Sequence, residues 1–187
     1  KEKQKVLVHG GTSGIGVAAI QILKLYKSKI FTTVGTNEKK QFCESLGVHN
    51  VYNYRETDFF DEIKKIEKIG IDIILDYIGG DYINKNINLL KSDGKLINIG
   101  FLNGSQVNIN LMKIMLKRLT ITGSTLRIRE KTYKAKILND LKKIVFPNFE
   151  NGKIKCYIDS IFKLKDVVSS HKYLESGGHI GKIVLEI

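Results

Sequence analysis

The sequence has no tryptophan, a single proline and only two cysteines, Cys43 and Cys156, among its 187 residues. The cysteines lie far apart, without a Cys-x-x-Cys pair or a nearby histidine pair, which excludes a familiar zinc-ligand spacing and a disulfide framework. Free thiols are typical of a reducing compartment, so we expect a cytoplasmic protein. No apolar run approaches the roughly 20 residues of a transmembrane helix. We therefore expect neither a bound metal nor a membrane partner.

Arginine is also scarce, although the formal net charge is +12. The positive charge comes almost entirely from lysines that are spread along the chain. Nowhere does a basic run alternate with aromatic residues, as single-stranded nucleic-acid binders require. A charge excess without a recognisable motif is weak evidence for nucleic-acid binding. We therefore expect the lysines to cover solvated surfaces, and nucleic acid is not an expected partner.

Short apolar segments alternate with helical patterns as far as Leu126. The first helical pattern follows residue 14, and its stripe of Ala18, Ile22, Leu25 and Tyr26 is expected to face the core. Six segments have the length and β-branched content of buried strands, namely Lys5–His9, Ile30–Val34, Val51–Tyr54, Ile71–Asp76, Lys95–Ile99 and Leu119–Gly123. The sequence thus predicts an α/β fold, a Rossmann doubly wound six-stranded parallel sheet in the order 3-2-1-4-5-6.

The rhythm changes after Leu126. One longer helix is predicted from Glu130 to Phe146, where Pro147 ends it. A strand at 156–162, a helix at 164–178 ended by Gly177 and Gly178, and a final strand at 181–187 follow. We therefore divide the chain into a nucleotide-binding domain, residues 1–146, and a C-terminal segment, residues 147–187.

The segment "HGGTSGIG", residues 9–16, joins the first strand to the first helix. Gly11 and Gly14 are expected to permit a tight turn in which main-chain N–H groups approach a diphosphate. Gly16 is expected to let the helix pack closely on the sheet. A strand before the glycines and a helix after them are the context that a dinucleotide-binding loop requires.

Two families of dehydrogenase have loops of this kind. Short-chain dehydrogenases have a similar "TGGxxGIG" but rely on a Tyr-x-x-x-Lys pair for proton transfer. None of the eight tyrosines here has a lysine four residues later, which excludes that family.

The chain instead resembles the zinc-independent quinone oxidoreductases of the medium-chain dehydrogenase/reductase superfamily, the zeta-crystallin-like group. The resemblance runs through "VLVHGGTSGIGVAAIQ", "TVGTNEKKQFCESLGV", "ILDYIGGDYINKNINLLKSDGKLINIG" and "HKYLESGGHIGKIVLEI". Within the group, "LDYIGG" and "GSTLRIRE" are most similar to the stress-inducible quinone oxidoreductases. The resemblance implies hydride transfer from NADPH to a quinone or another conjugated carbonyl compound. Two alternatives stay open, an enoyl reductase of the same superfamily and a non-catalytic protein that binds NADPH or nucleic acid.

The end of the second strand bears on the choice of cofactor. An NAD-specific fold places an acidic residue there, whereas this chain has Gly35 and Thr36. The resemblance places Lys39 and Tyr54 at the 2′-phosphate of NADP. It implies further cofactor contacts in the loops that follow the other strands, at Ser13, Gly14, Ile15, Ile78, Gly79, Gly100, Phe101, Leu102, Ser124, Thr125, Leu126 and His179.

The resemblance also implies a GroES-like substrate domain upstream of the glycine loop, which residues 147–187 would complete. No stretch of this sequence matches that domain, so we assign no catalytic residue and expect the chain alone to be inactive. Family members form homodimers through the last strand of the sheet, here Leu119–Gly123. That strand has no proline or charge of its own to prevent edge pairing, so we expect a homodimer there.

Overall fold

The computed structural model describes residues 2–187, and its main element is one parallel sheet of six strands in the order β3-β2-β1-β4-β5-β6. The strands are β1 (Lys5–Val8), β2 (Lys29–Val34), β3 (Asn50–Asn53), β4 (Ile71–Asp76), β5 (Leu90–Asn98) and β6 (Thr120–Gly123). The predicted fold class and strand order are therefore confirmed. β6 begins at Thr120 and lies at the edge of the sheet.

Five helices connect these strands, α1 (Gly14–Leu25), α2 (Asn37–Ser45), α3 (Phe59–Ile66), α4 (Tyr82–Leu89) and α5 (Leu111–Lys117). Alternate strand residues point to opposite faces of the sheet, and each face has its own apolar core. Phe31 belongs to the core under α3 and α4, together with Leu7 and Ile74. Ile30 belongs to the core under α1 and α2, together with Val34. This two-sided burial explains why the strands read as nearly continuous apolar runs.

The prediction for the buried face of α1 was wrong. The buried residues of α1 are Gly16, Val17, Ile20 and Gln21, and of these Val17 and Ile20 belong to the core between α1 and the sheet. The predicted stripe is rotated away from the sheet, and Ala18 and Ile22 instead line an apolar cavity between α1 and the C-terminal segment. The helix has two apolar faces, and the sheet takes the one that starts at Gly16 because the glycine loop fixes how the helix begins.

The C-terminal segment forms α6 (Lys131–Ile144), α7 (Phe146–Glu150), β7 (Ile158–Lys163), a 3₁₀ turn (Leu164–Asp166), α8 (Val167–Ser176) and β8 (Lys182–Glu186). Pro147 lies in the first turn of α7, where its missing N–H is not needed. The proline therefore starts a short helix as well as following the end of a long one. β7 and β8 pair in parallel as a separate two-stranded sheet, and α7 spans the predicted division between residues 146 and 147.

Side-chain contacts attach this segment to α1 and α2. Gln21 on α1 donates to the carbonyl of Lys155 at 3.0 Å and accepts the Lys155 N–H at 2.7 Å. The rings of Phe42 and Tyr157 pack edge to face with centroids 5.1 Å apart. None of the helices among residues 2–187 combines the length and apolar character that crossing a bilayer requires.

Candidate functional site

The loop between β1 and α1 is closed by contacts within itself. Ser13 caps α1, since its Oγ accepts the N–H of Gly16 at 3.0 Å. A Cβ on Gly16 would lie 2.2 Å from the carbonyl oxygen of Gly10, so Gly16 is required by the closeness of the turn as well as by helix packing. Gly10 is the left-handed residue of the turn, with φ of 64°, and a Cβ on Gly11 would lie 2.3 Å from the Oγ1 of Thr32. The first turn of α1 has no acidic residue, so its free N–H groups favour an anion.

Three of the predicted residues, Gly35, Lys39 and Tyr54, lie near the end of β2. A Cβ on Gly35 would lie 2.6 Å from the Oη of Tyr54. Thr36 caps α2 by accepting the N–H of Lys39 at 3.2 Å. The Lys39 ammonium donates to the carbonyl of Gly177 at 2.5 Å. Gly35, Lys39 and Tyr54 thus lie at one end of the sheet, next to the C-terminal segment.

Arg55 adds a second cation that the sequence analysis missed. Burial, and then the positive charge of Arg55, lower the pKa of Lys39. Among the described residues, neither side chain forms a salt bridge. Two cations in proximity without a bonded carboxylate can accept a dianion such as a phosphate. The sequence could have indicated Arg55, because it directly follows Tyr54, which was predicted to bind the 2′-phosphate.

The loops after β4 and β5 are tied to each other. The N–H of Leu102 donates to the carbonyl of Tyr77 at 3.0 Å, and that of Asn103 donates to the carbonyl of Ile78 at 2.7 Å. A Cβ on Gly79 would lie 2.5 Å from the carbonyl oxygen of Gly104. Ile78, Gly79, Gly100, Phe101 and Leu102 therefore belong to one double loop.

The β6 end joins the same group through Ser124, whose N–H donates to the carbonyl of Asn98 at 2.9 Å. Leu126 is exposed, as Phe101 and Leu102 are. Phe101, Leu102 and Leu126 therefore expose apolar surface at the carboxyl ends of the strands. Ligands of this fold bind at that side of the sheet.

A cleft of about 420 Å³ separates the glycine loop from α8 and β8. Ser13, Gly14, Ile15 and His179 of the predicted set line it, together with Tyr77 and His171. A bridge between Ser13 and Gly181 closes one end, where the N–H of Gly181 donates to the carbonyl of Thr12 at 2.8 Å. Burial, and then the charge of Lys39, lower the pKa of His179. The Nδ1 atom of His179 is buried without a hydrogen-bond partner among the described residues.

Tyr77 is a further residue that the sequence analysis did not assign. It follows Asp76 at the carboxyl end of β4, and a Cβ on Gly10 would lie 1.5 Å from its Oη. Burial raises the pKa of Tyr77, so the phenol stays neutral and covers the turn of the glycine loop.

A larger cavity of about 560 Å³ lies between α1 and α7. Of the predicted cofactor residues, only Gly14 lines it, and most of its wall is apolar, including Ile22, Phe146 and Phe149. The smaller cleft is therefore the candidate site for the diphosphate part of a nucleotide, because Ser13, Gly14, Ile15 and His179 of the predicted set meet the N-terminus of α1 there. Residues 2–187 contain no cluster of three or more His, Cys, Asp or Glu side chains that could hold a metal ion.

Comparison with known proteins identifies a matching family and relatives that are similar over nearly the whole chain. The family described as zinc-binding dehydrogenase matches residues 14–143. Human quinone oxidoreductase is 34% identical over 187 residues, which are 99% of this chain and 55% of the human protein. Polyketide synthase 37 of Dictyostelium discoideum is 30% identical over 99% of this chain, which is 6% of the synthase.

Solved structures agree with this assignment of the fold. Escherichia coli quinone oxidoreductase in complex with NADPH has a TM-score of 0.87 and 27% identity, over 100% of this chain and 58% of that protein. CurK enoyl reductase has a TM-score of 0.79 and 25% identity, over 100% of this chain and 56% of that protein. The chain spans about half the length of the quinone oxidoreductases that it matches, and a far smaller part of the synthase.

Proposed function

Because the chain belongs to the zinc-binding dehydrogenase family and is similar throughout to quinone oxidoreductases of the medium-chain superfamily, we propose that it binds NADPH for the reduction of a quinone or another conjugated carbonyl compound. The observation that carries the proposal is the convergence of Gly35, Lys39 and Tyr54 at the end of β2. The end of β2 itself has Gly35 and Thr36 where an NAD-specific fold has an acidic residue, and the nearest carboxylates, Glu38 and Asp159, act on Lys39 only through their charge. A 2′-phosphate would meet two cations, Lys39 and Arg55.

The proposal also assigns residues to the diphosphate and to the nicotinamide of NADPH. The N-terminus of α1, with Ser13 and Gly14, faces the cleft and suits a diphosphate. The exposed Phe101, Leu102 and Leu126 at the ends of β5 and β6 would exclude water from the nicotinamide. When bound, NADPH supplies the hydride, and the protein orients it.

We propose that the substrate pocket is formed by further residues, beyond those assigned to the nucleotide. Residues 147–187 are proposed to form part of a second, substrate-binding domain. Several side chains of this segment are apolar and at least one-third exposed, including Ile161, Val168 and Leu185. Such surface is normally covered by another element or chain.

A second candidate function is reduction of an enoyl thioester. It is supported by the similarity to CurK enoyl reductase and to a polyketide synthase over nearly the whole chain. The two candidates share the cofactor site and differ in the acceptor.

Two measurements test the proposal. Fluorescence titration should show NADPH binding about tenfold or more tightly than NADH, since a charge-assisted phosphate contact contributes roughly 1.5–3 kcal/mol. NADPH oxidation by the full-length protein, with quinones and enoyl thioesters as acceptors, then identifies the reaction. Equal affinity for the two nucleotides refutes the NADPH assignment, turnover with enoyl thioesters alone selects the second candidate, and no turnover with any acceptor leaves a nucleotide-binding protein without catalysis.

A further inference from the structure

Five polar side chains are buried side by side at the carboxyl ends of the central strands. They are His9, Thr33, Asp76, Asn86 and Asn98, and none is more than 8% exposed. Burying a polar group is unfavourable unless it is hydrogen-bonded. Apolar side chains of similar size would have filled this space, so the contacts of these groups indicate what they do.

Asp76 accepts hydrogen bonds from both backbone and side-chain donors. Its carboxylate accepts the N–H of Ile78 at 2.7 Å and that of Gly79 at 3.3 Å. It also accepts the side-chain amides of Asn86 and Asn98, each at 3.3 Å. The NH₂ group of Asn86 faces Asp76, since it donates to the carboxyl oxygen that also accepts the amide of Asn98. The amide oxygen of Asn86 must therefore face the other way.

His9 forms a hydrogen bond with the amide oxygen of Asn86. Its Nε2 lies 2.8 Å from the amide oxygen of Asn86, so Nε2 carries the proton. In the neutral ring Nδ1 is then an acceptor, and the hydroxyl of Thr33, 3.0 Å away, donates to it. The Thr33 oxygen in turn accepts the N–H of Gly10 at 3.3 Å. Every hydrogen bond from Gly10 to Asp76 thus has one donor and one acceptor.

This chain of hydrogen bonds, which we call the Gly10–Asp76 network, connects two loops of the candidate nucleotide site. One end holds Gly10, the left-handed residue of the glycine loop, and the other holds Ile78 and Gly79 after β4. Asn98 extends it to β5, and the carbonyl of Asn98 accepts the N–H of Ser124 after β6.

We infer that Thr33, His9, Asn86 and Asp76 are positioning residues that fix the glycine loop relative to the loop after β4, so that the diphosphate half of the nucleotide meets a pre-formed site. The inference rests on the proposed NADPH binding. None of the four side chains needs to touch the nucleotide. Pre-organised loops bind more tightly because less conformational freedom is lost on binding.

Adjacent threonines on β2 provide a matched experiment. Thr33→Val keeps the size of the side chain and removes the hydroxyl that links Gly10 to His9. Thr32→Val removes a hydroxyl that is equally buried but donates only to the carbonyl of Val8 at 2.7 Å. Thr33→Ser restores the hydroxyl of the first variant. Each protein is titrated with NADPH and with adenosine 2′-monophosphate, which lacks the diphosphate, and unfolded with urea.

We expect Thr33→Val to weaken NADPH binding roughly three- to tenfold, because the hydrogen bonds of the hydroxyl to His9 and to Gly10 are both lost. Its affinity for adenosine 2′-monophosphate should change less than twofold, and Thr33→Ser should recover most of the loss. A general loosening of the fold would weaken both ligands, and Thr32→Val would then act in the same way as Thr33→Val.

A second variant, Asp76→Asn, covers the case in which Thr33→Val does not fold. It replaces one of the two acceptor oxygens with an NH₂ group, which must face either the N–H of Ile78 or the amides of Asn86 and Asn98. This variant should also weaken NADPH more than adenosine 2′-monophosphate. NADPH binding by a folded Thr33→Val or Asp76→Asn variant at the parent affinity overturns the inference alone, as does equal weakening of both ligands. Absence of NADPH binding by the parent protein overturns the proposed function and the inference together.

Discussion

Replacement of Lys39 by glutamine is the most direct test of cofactor preference. The Lys39 ammonium is half-buried and donates to the Gly177 carbonyl at the end of α8. Burial and the nearby Arg55 charge lower its pKa, so the charged form is less favourable here than in water. A 2′-phosphate would relieve this by supplying negative charge to both cations.

The expected magnitude follows from the partners that are exchanged. A charge-assisted hydrogen bond to phosphate contributes about 1.5–3 kcal/mol. Lys39 gives up its bond to the neutral Gly177 carbonyl in return, and Arg55 remains in the variant, so we expect a net loss of about 1–2 kcal/mol. At about 1.4 kcal/mol for each factor of ten, NADPH affinity should fall roughly five- to thirtyfold. NADH has no 2′-phosphate, and its affinity should change less than about twofold.

Fluorescence titration of NADPH and NADH against the parent, Lys39→Gln and Lys40→Gln measures the ratio of affinities. Lys40 is the neighbouring residue of α2, and it is not among the residues predicted to bind the cofactor, so its variant removes the same charge from the same helix. All titrations are made at one salt concentration because surface charge is screened. The reasoning is refuted if Lys39→Gln keeps the parent's preference, or if both variants reduce it equally.

The stability and assembly of the chain give three further predictions. Glu67→Gln should lower the free energy of unfolding by about 1–3 kcal/mol, since its buried carboxylate binds both Lys5 and Lys29; the exposed Glu62→Gln should change it by less than about 0.5 kcal/mol in the same urea titration. Burial lowers the pKa of His9 below its usual 6.5, so the unfolded chain takes up the proton at a higher pH than the folded one. The free energy of unfolding should therefore fall as the pH drops below 6.5. Equal free energies of unfolding in urea at about pH 5.5 and about pH 7.5 would contradict this. Sedimentation should show a homodimer that Ile121→Pro converts to monomer, because the proline removes a donor within the edge strand β6; a parent that sediments as a monomer would argue against pairing at this edge.

Strand periodicity was sufficient to predict the sheet because both of its faces are buried. β4 has the predicted bounds, and the other strands differ mainly at their ends. The largest difference is β5, which begins at Leu90 and not at Lys95. Leu90 pairs with Ile71 before a register shift, and the polar residues between Leu90 and Lys95 conceal this pairing in the sequence. Irregular pairing depends on the neighbouring strand, which periodicity within one segment does not describe.

Predicting the site was possible where a residue's position in the fold determines its surroundings. Gly35, Lys39 and Tyr54 lie together because the ends of β2 and β3 are adjacent, although their roles stay predictions. The Gly10–Asp76 network was not predicted. Its members come from three strands, a helix and the glycine loop, and each of its side chains alone has the character of an ordinary buried polar residue. Their function depends on hydrogen-bond directions that only the folded structure defines.

The contact between Gly181 and Thr12 has a consequence for how the protein is made. The hydrogen bond from the Gly181 N–H to the Thr12 carbonyl joins residues near opposite ends of the chain. Closing such a long segment is entropically unfavourable and slow relative to local contacts. Synthesis proceeds from the N-terminus, so the glycine loop leaves the ribosome long before the residue that closes its cleft. A nascent chain can therefore form the six-stranded sheet while the candidate cleft is still open, and the cleft is complete only after translation of β8.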